Sequence, residues 1–98
     1  MLPQFLDKRL ERLEWDPEYD AGFSRDVVKA FRKRMQFIRS APDERDFWAL
    51  KSLHFEKLKG GRANQRSLRL NDQYRLIVEF KETDEGKVIV IIGIEDYH

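Results

Sequence analysis

The residues best suited to chemistry stand at the end of the chain. Asp96-Tyr97-His98 places a carboxylate, a phenol and an imidazole side by side. An imidazole exchanges protons near neutral pH, a phenol hydrogen bonds or stacks on a base, and Asp96 can orient the ring of His98. The terminal carboxylate next to His98 favours the charged imidazole. A last residue is commonly frayed and bland. Here the preceding run, Val88-Ile89-Val90-Ile91-Ile92-Gly93-Ile94, is the most apolar in the chain and would hold the tail on a rigid strand.

Two further features are not demanded by packing. Arg75 lies within an apolar alternating stretch, where a guanidinium is costly unless it reaches solvent, pairs with a carboxylate or binds an anion. Glu79 on the same face is one structural partner for it, and the residues alone leave ion pairing and anion binding equal. Glu56-Lys57-Leu58-Lys59-Gly60-Gly61-Arg62 is a basic loop whose glycines let backbone amides approach a phosphate. Its spacing is not that of a nucleotide-hydrolysing phosphate loop, and taken alone it reads as a charged turn. The other histidine, His54, stands between Leu53 and Phe55 and reads as a surface residue. No His-Glu-x-x-His cluster and no Gly-x-Ser-x-Gly elbow is present, so neither a metal nor a serine nucleophile is expected. Trp15 and Trp48 read as core or interface residues.

Composition narrows the setting. The 98 residues carry 19 basic and 18 acidic side chains, with no cysteine, which removes disulfides, thiolate nucleophiles and cysteine metal sites together. One domain over 1–98, in a reducing, cytoplasmic setting, is the expectation. No apolar run is long enough to span a membrane, and the N-terminus, with acids among its bases, does not read as a signal peptide. The near-neutral total hides an asymmetry. Residues 54–75 hold six basic side chains against two acidic, and residues 76–98 hold two against six. A basic block of this kind raises a polyanion as partner.

The elements that must position these residues follow from periodicity. Residues 4–14 place Phe5, Leu6, Leu10 and Leu13 at helical spacing, with a first edge strand closing on Phe5 as the alternative. Residues 15–23 form a connector, and Ser24 then caps a helix with the apolar stripe Val27, Phe31, Met35 and Ile38. After Pro42 comes a short helix with Phe47, Trp48 and Leu50. Beyond Leu53 the period becomes strand-like: Ser67–Leu70, a turn at Asn71-Asp72-Gln73, a strand with Tyr74, Leu76, Val78 and Phe80 on one face, a turn at Thr83–Gly86, and the apolar run read as a buried central strand. Helices followed by an antiparallel meander make an α+β domain, with N-terminal helices packed on a C-terminal sheet.

Taken in order, Leu58-Lys59-Gly60, Arg66-Ser67-Leu68-Arg69-Leu70-Asn71, Gln73-Tyr74-Arg75-Leu76 and Asp96-Tyr97-His98 resemble the HigB branch of the RelE/ParE toxin superfamily. The likeness is close in motif order and spacing over residues 53–98 and topological over residues 1–52. It implies a fold like that of RelE and the microbial ribonucleases. It also implies a type II toxin that cuts mRNA in the ribosomal A site, by attack of the ribose 2′-oxygen on the adjoining phosphate, with no cofactor or metal. By position, Asp96, Tyr97 and His98 match the catalytic tail, with His98 transferring protons and Tyr97 positioning or stacking. Arg75 would stabilise the phosphate charge, and Lys57, Lys59, Arg62 and Arg66 would hold RNA. His54 is a second histidine, although Glu56 fills the slot nearer Leu58-Lys59-Gly60. The implied partners are a HigA-like helix-turn-helix antitoxin, the ribosome and mRNA, with no membrane. Two other readings compete: a ParE-like gyrase poison, whose relatives generally lack the Asp-Tyr-His tail, and a non-catalytic module that binds RNA or antitoxin.

Overall fold

Periodicity divides the chain near Leu53, with helices before it and most of the sheet after it. The computed structural model describes residues 1–96; Tyr97 and His98 lie outside the described residues. These residues form an α+β fold of three helices, α1 (Lys8–Trp15), α2 (Arg25–Ser40) and α3 (Arg45–Ala49). Five strands complete it: β1 (Leu2–Phe5), β2 (Glu56–Lys57), β3 (Gln65–Arg69), β4 (Tyr74–Thr83) and β5 (Gly86–Asp96). The sheet order is β1-β5-β4-β3-β2. Strands β2 to β5 are the expected antiparallel meander, and β1 runs parallel to β5, so the whole sheet is mixed.

The first strand settles the reading of residues 4–14. Leu2–Phe5 pairs with Val88–Ile91, so Phe5 belongs to the sheet. The helix starts only at Lys8, behind Asp7, whose carboxylate accepts the Arg9 N–H at 3.0 Å. Leu10 and Leu13 are buried as helical spacing requires, whereas Leu6 is exposed. The Met1 ammonium donates to the carbonyls of Ile38, Arg39 and Ala41, at the end of α2 where the helix dipole favours a cation.

Helix α2 lays Val27, Phe31, Met35 and Ile38 on a core that includes Leu68, Leu76, Val78, Ile89 and Ile91 from one sheet face. The other face carries Ser67, Arg75, Ile77, Val88 and Val90, all buried. The apolar run is thus an interior strand, between β1 and β4, with buried side chains on both faces. Trp15 and Trp48 are not in the core, at 70% and 46% exposure.

A bulge in β5 redirects the side chains at the end of that strand. Ile77 pairs with Gly93 but Val78 pairs with Ile91, leaving Ile92 as the extra residue. The slip reverses the alternation beyond it, and Glu95 comes to lie opposite Arg75 rather than on the core face with Ile91.

Phe47 centres an aromatic cluster, with ring centroids 5.2, 5.4 and 5.5 Å from Phe37, Phe55 and Phe80. Phe47→Ala is expected to cost about 3–5 kcal/mol, a large share of a small domain's stability. A thermal melt should show Tm falling by about 12 °C or more. A drop below about 4 °C would mean that the cluster closes over the lost ring.

Candidate active site

Arg75 anchors the site. Alternation along β4 places it with Ile77 on the face away from the helices, 7% exposed. Its Nε donates to Ser67 Oγ at 2.9 Å, and its Nη2 donates to the backbone carbonyl of His54. Both are neutral acceptors that fix the orientation of the guanidinium. Ser67 reaches it because Arg75 stands opposite Arg69, so Ser67 is the diagonal neighbour across the ladder. Glu79 lies two residues beyond Ile77, opposite Gln65 on one side and Val90 on the other.

The His54 carbonyl is aimed by its neighbours. Leu53 and Phe55 are both buried and pin the chain on either side of it. Phe55 packs on Phe47 and on Trp48, at 5.4 and 4.7 Å. Between these anchors His54 takes a left-handed conformation, φ 46° and ψ 51°. A non-glycine residue holds this conformation only where its surroundings fix it. The aromatic cluster thereby positions an acceptor for Arg75.

A cavity of about 230 Å³ opens over Arg75, lined by Leu58, Arg62, Ser67, Arg75, Ile77, Glu95 and Asp96. Arg62 enters from the turn 60–62, which Gly60 opens at φ +72°. Its guanidinium donates to Gln65 Oε1 at 2.8 Å and grips Glu95 bidentately at 2.9 and 2.6 Å. Hydrogen bonding to Glu95 raises the Arg62 pKa above its ordinary value and keeps the group charged. Asp96, opposite Tyr74, accepts from Gln73 Nε2 at 3.0 Å. A larger hollow of about 400 Å³ lies beside the α1–α2 connector, but its Arg32 is engaged by the carbonyls of Leu13, Asp16 and Tyr19.

Of the residues expected from sequence, Arg62, Arg75 and Asp96 meet in this cavity. Tyr97 and His98 come after Asp96 in the chain and lie outside the described residues. The His54 imidazole is exposed and does not line the cavity; His54 contributes its carbonyl. Glu56 is opposite Ser67, on the cavity's face of the sheet. Lys57 and Arg66 oppose each other on the other face, and Lys59 is exposed just before the turn. Arg66 donates to the carbonyls of Ala63 and Gln65, and its Nε is buried without a partner. Sequence reasoning assigned no role to Ser67, Glu95, Gln65 or Leu58. For Ser67 a signal existed: a hydroxyl at a position that alternation buries needs a partner. Among the described residues, no three His, Cys, Asp or Glu side chains converge as they would around a metal ion.

A family model described as the RelE-like toxin of type II toxin-antitoxin system HigB matches residues 3–98, the basic loop, Arg75 and the tail included. The chain belongs to this family. It is the toxin of a type II toxin–antitoxin system, and an antitoxin is its partner. Among solved structures, a YoeB/ParE toxin from Agrobacterium tumefaciens superposes with a TM-score of 0.60, covering 100% of both chains at 15% identity. At that identity the likeness concerns the fold. No curated protein matches the chain. The toxin's fold thus gathers Arg62, Arg75 and Asp96 from three separate segments around one cavity, with Glu95 opposite Arg75 and Asp96 opposite Tyr74 at the end of β5.

Proposed function

We propose that the toxin is a ribosome-dependent endoribonuclease that cuts mRNA in the A site and so stops translation. The observation that carries this reading is the buried Arg75, oriented by Ser67 and the His54 carbonyl at the floor of a cavity that Asp96 borders. In the proposed step the ribose 2′-oxygen attacks the adjoining phosphorus and the bond to the 5′-oxygen breaks, leaving a cyclic phosphate and a 5′-hydroxyl. Charge builds on the phosphate oxygens, and a guanidinium already fixed in place stabilises it without reorganising. His98 moves the protons, Asp96 orients its ring, and Tyr97 positions or stacks on a base. Lys57 and Arg66, like charges directly opposed across β2 and β3, weaken that pairing on their own. An RNA backbone passing there relieves that repulsion. With Lys59 and Arg62 they form the proposed RNA-holding set.

Primer extension on a defined mRNA, with and without translating ribosomes, tests the reading. In-frame cuts that require ribosomes support it. Absence of cuts under both conditions, with loss of supercoiling by gyrase, would replace it with the gyrase-poison reading.

The role of His54 is separable. His54→Gly retains the carbonyl, and glycine adopts the left-handed conformation freely. It should change stability by no more than about 1 kcal/mol, with the ribosome-dependent cutting rate close to wild type. A fall of a hundredfold or more, of the size general acid/base catalysis supplies (about 10²–10⁴), would give the imidazole a proton-transfer role.

A further inference from the structure

A second surface of the toxin carries charge that, among the described residues, no carboxylate answers. Between α2 and the turn 51–53 runs a groove of about 530 Å³, with Lys33, Arg34, Gln36, Phe37, Leu50 and Ser52 in its lining and no carboxylate there. Arg34 is half-buried, and its Nε donates to the Arg69 carbonyl at 3.0 Å. Among the described residues, no ion pair engages Arg34 or Lys33. Burial, and then the Arg69 cation, lower the Arg34 pKa. Leu50 is 41% exposed at the same groove, an uncommon place for a large aliphatic side chain without a cover.

We propose that this groove is where the antitoxin docks, and that the segment it seats there carries carboxylates beside aliphatic side chains. A half-buried guanidinium with one carbonyl acceptor and a like charge near it has lost hydration without gaining a counter-charge. A partner's carboxylate supplies that charge, and the pair strengthens as water leaves. Leu50 then covers the aliphatic side chains, and Gln36 and Ser52 supply polar groups at the margin. A phosphate answers the charge equally well, but single-stranded RNA binds through aromatic faces on which bases stack. The groove's apolar side is instead two leucines and a Phe37 ring turned inward onto Phe47. A protein segment fits this combination better. The inference rests on membership of a toxin–antitoxin family and not on the endonuclease reading.

The test titrates purified toxin with the product of the antitoxin gene paired with it. Lys33→Glu should weaken binding about tenfold, and Leu50→Asp and Arg34→Met about thirtyfold or more, with wild-type affinity falling as salt rises. In cells, co-expressed antitoxin should no longer rescue growth from the Leu50→Asp toxin. Lys33→Glu and Leu50→Asp alter exposed side chains, so their melting temperature and cleavage rate should stay at wild type. These two carry the test if Arg34→Met, which also loses the Arg69 contact, fails to fold. Unchanged antitoxin affinity in both overturns the proposal. Retained antitoxin affinity with weakened ribosome binding also overturns it and assigns the groove to RNA.

Discussion

Replacing Arg75 with alanine is expected to slow mRNA cleavage by about 10²–10³-fold, the size of effect seen when one preorganised donor to a developing oxyanion is removed. Arg75→Lys should recover little of it. An ammonium keeps the charge but cannot bridge Ser67 Oγ and the His54 carbonyl while presenting two donors to a phosphate. Folding should survive both changes. Losing the guanidinium leaves two acceptors with one partner fewer, at about 1–3 kcal/mol, while removing a buried cation offsets part of that cost. Single-turnover cutting on translating ribosomes, beside a thermal melt of each variant, separates the two effects. A well-folded Arg75→Ala protein that cuts at the wild-type rate would remove the phosphate clamp from the mechanism. Recovery of most activity by Arg75→Lys would show that charge alone matters and that the fixed orientation does not.

The position of Arg75 was legible in the sequence because alternation needs only neighbours in the chain. Tyr74, Leu76 and Val78 must face the core, so Arg75 and Ile77 face away, and the structure agrees. The same rule places Ser67 on that face. What alternation could not supply was the partner for the guanidinium. That depends on the register of β3 against β4, and on a left-handed His54 fixed by Leu53 and Phe55, which are contacts between distant segments. Glu95 was hidden by the bulge at Ile92. Strict alternation from Ile89 and Ile91 puts Glu95 in the core, an impossible place for a carboxylate without a partner. Gly93 next to the slip was the one local hint. The basic loop behaved likewise: composition identified its cations, but register divides them, with Arg62 in the cavity and Lys57 and Arg66 on the opposite face. At the N-terminus, Phe5 and Leu6 fitted a helix by spacing alone, and pairing with β5 overrode it.

His98→Ala is the second large loss expected, about 10²–10⁴-fold in the cutting step, because proton transfer by a positioned imidazole contributes that much. Its signature differs from that of Arg75. An imidazole that must gain or lose a proton during the reaction gives the wild-type pH–rate profile a limb that an arginine cannot supply. That limb should vanish in His98→Ala, while Arg75→Ala should cut slowly at every pH and keep the limb, since a guanidinium does not titrate in this range. Ribosome affinity should be unchanged in His98→Ala, which alters a group needed only as charge moves, so the defect appears in the rate at saturating ribosomes. The double variant should be little slower than the worse single one if Arg75 and His98 act on the same transition state as a unit. Additive losses would instead assign them to separate steps. A flat wild-type profile, or a His98→Ala protein that keeps the limb, would move proton transfer to another group. Asp96 would then be the first candidate, because it already borders the cavity beside Arg75.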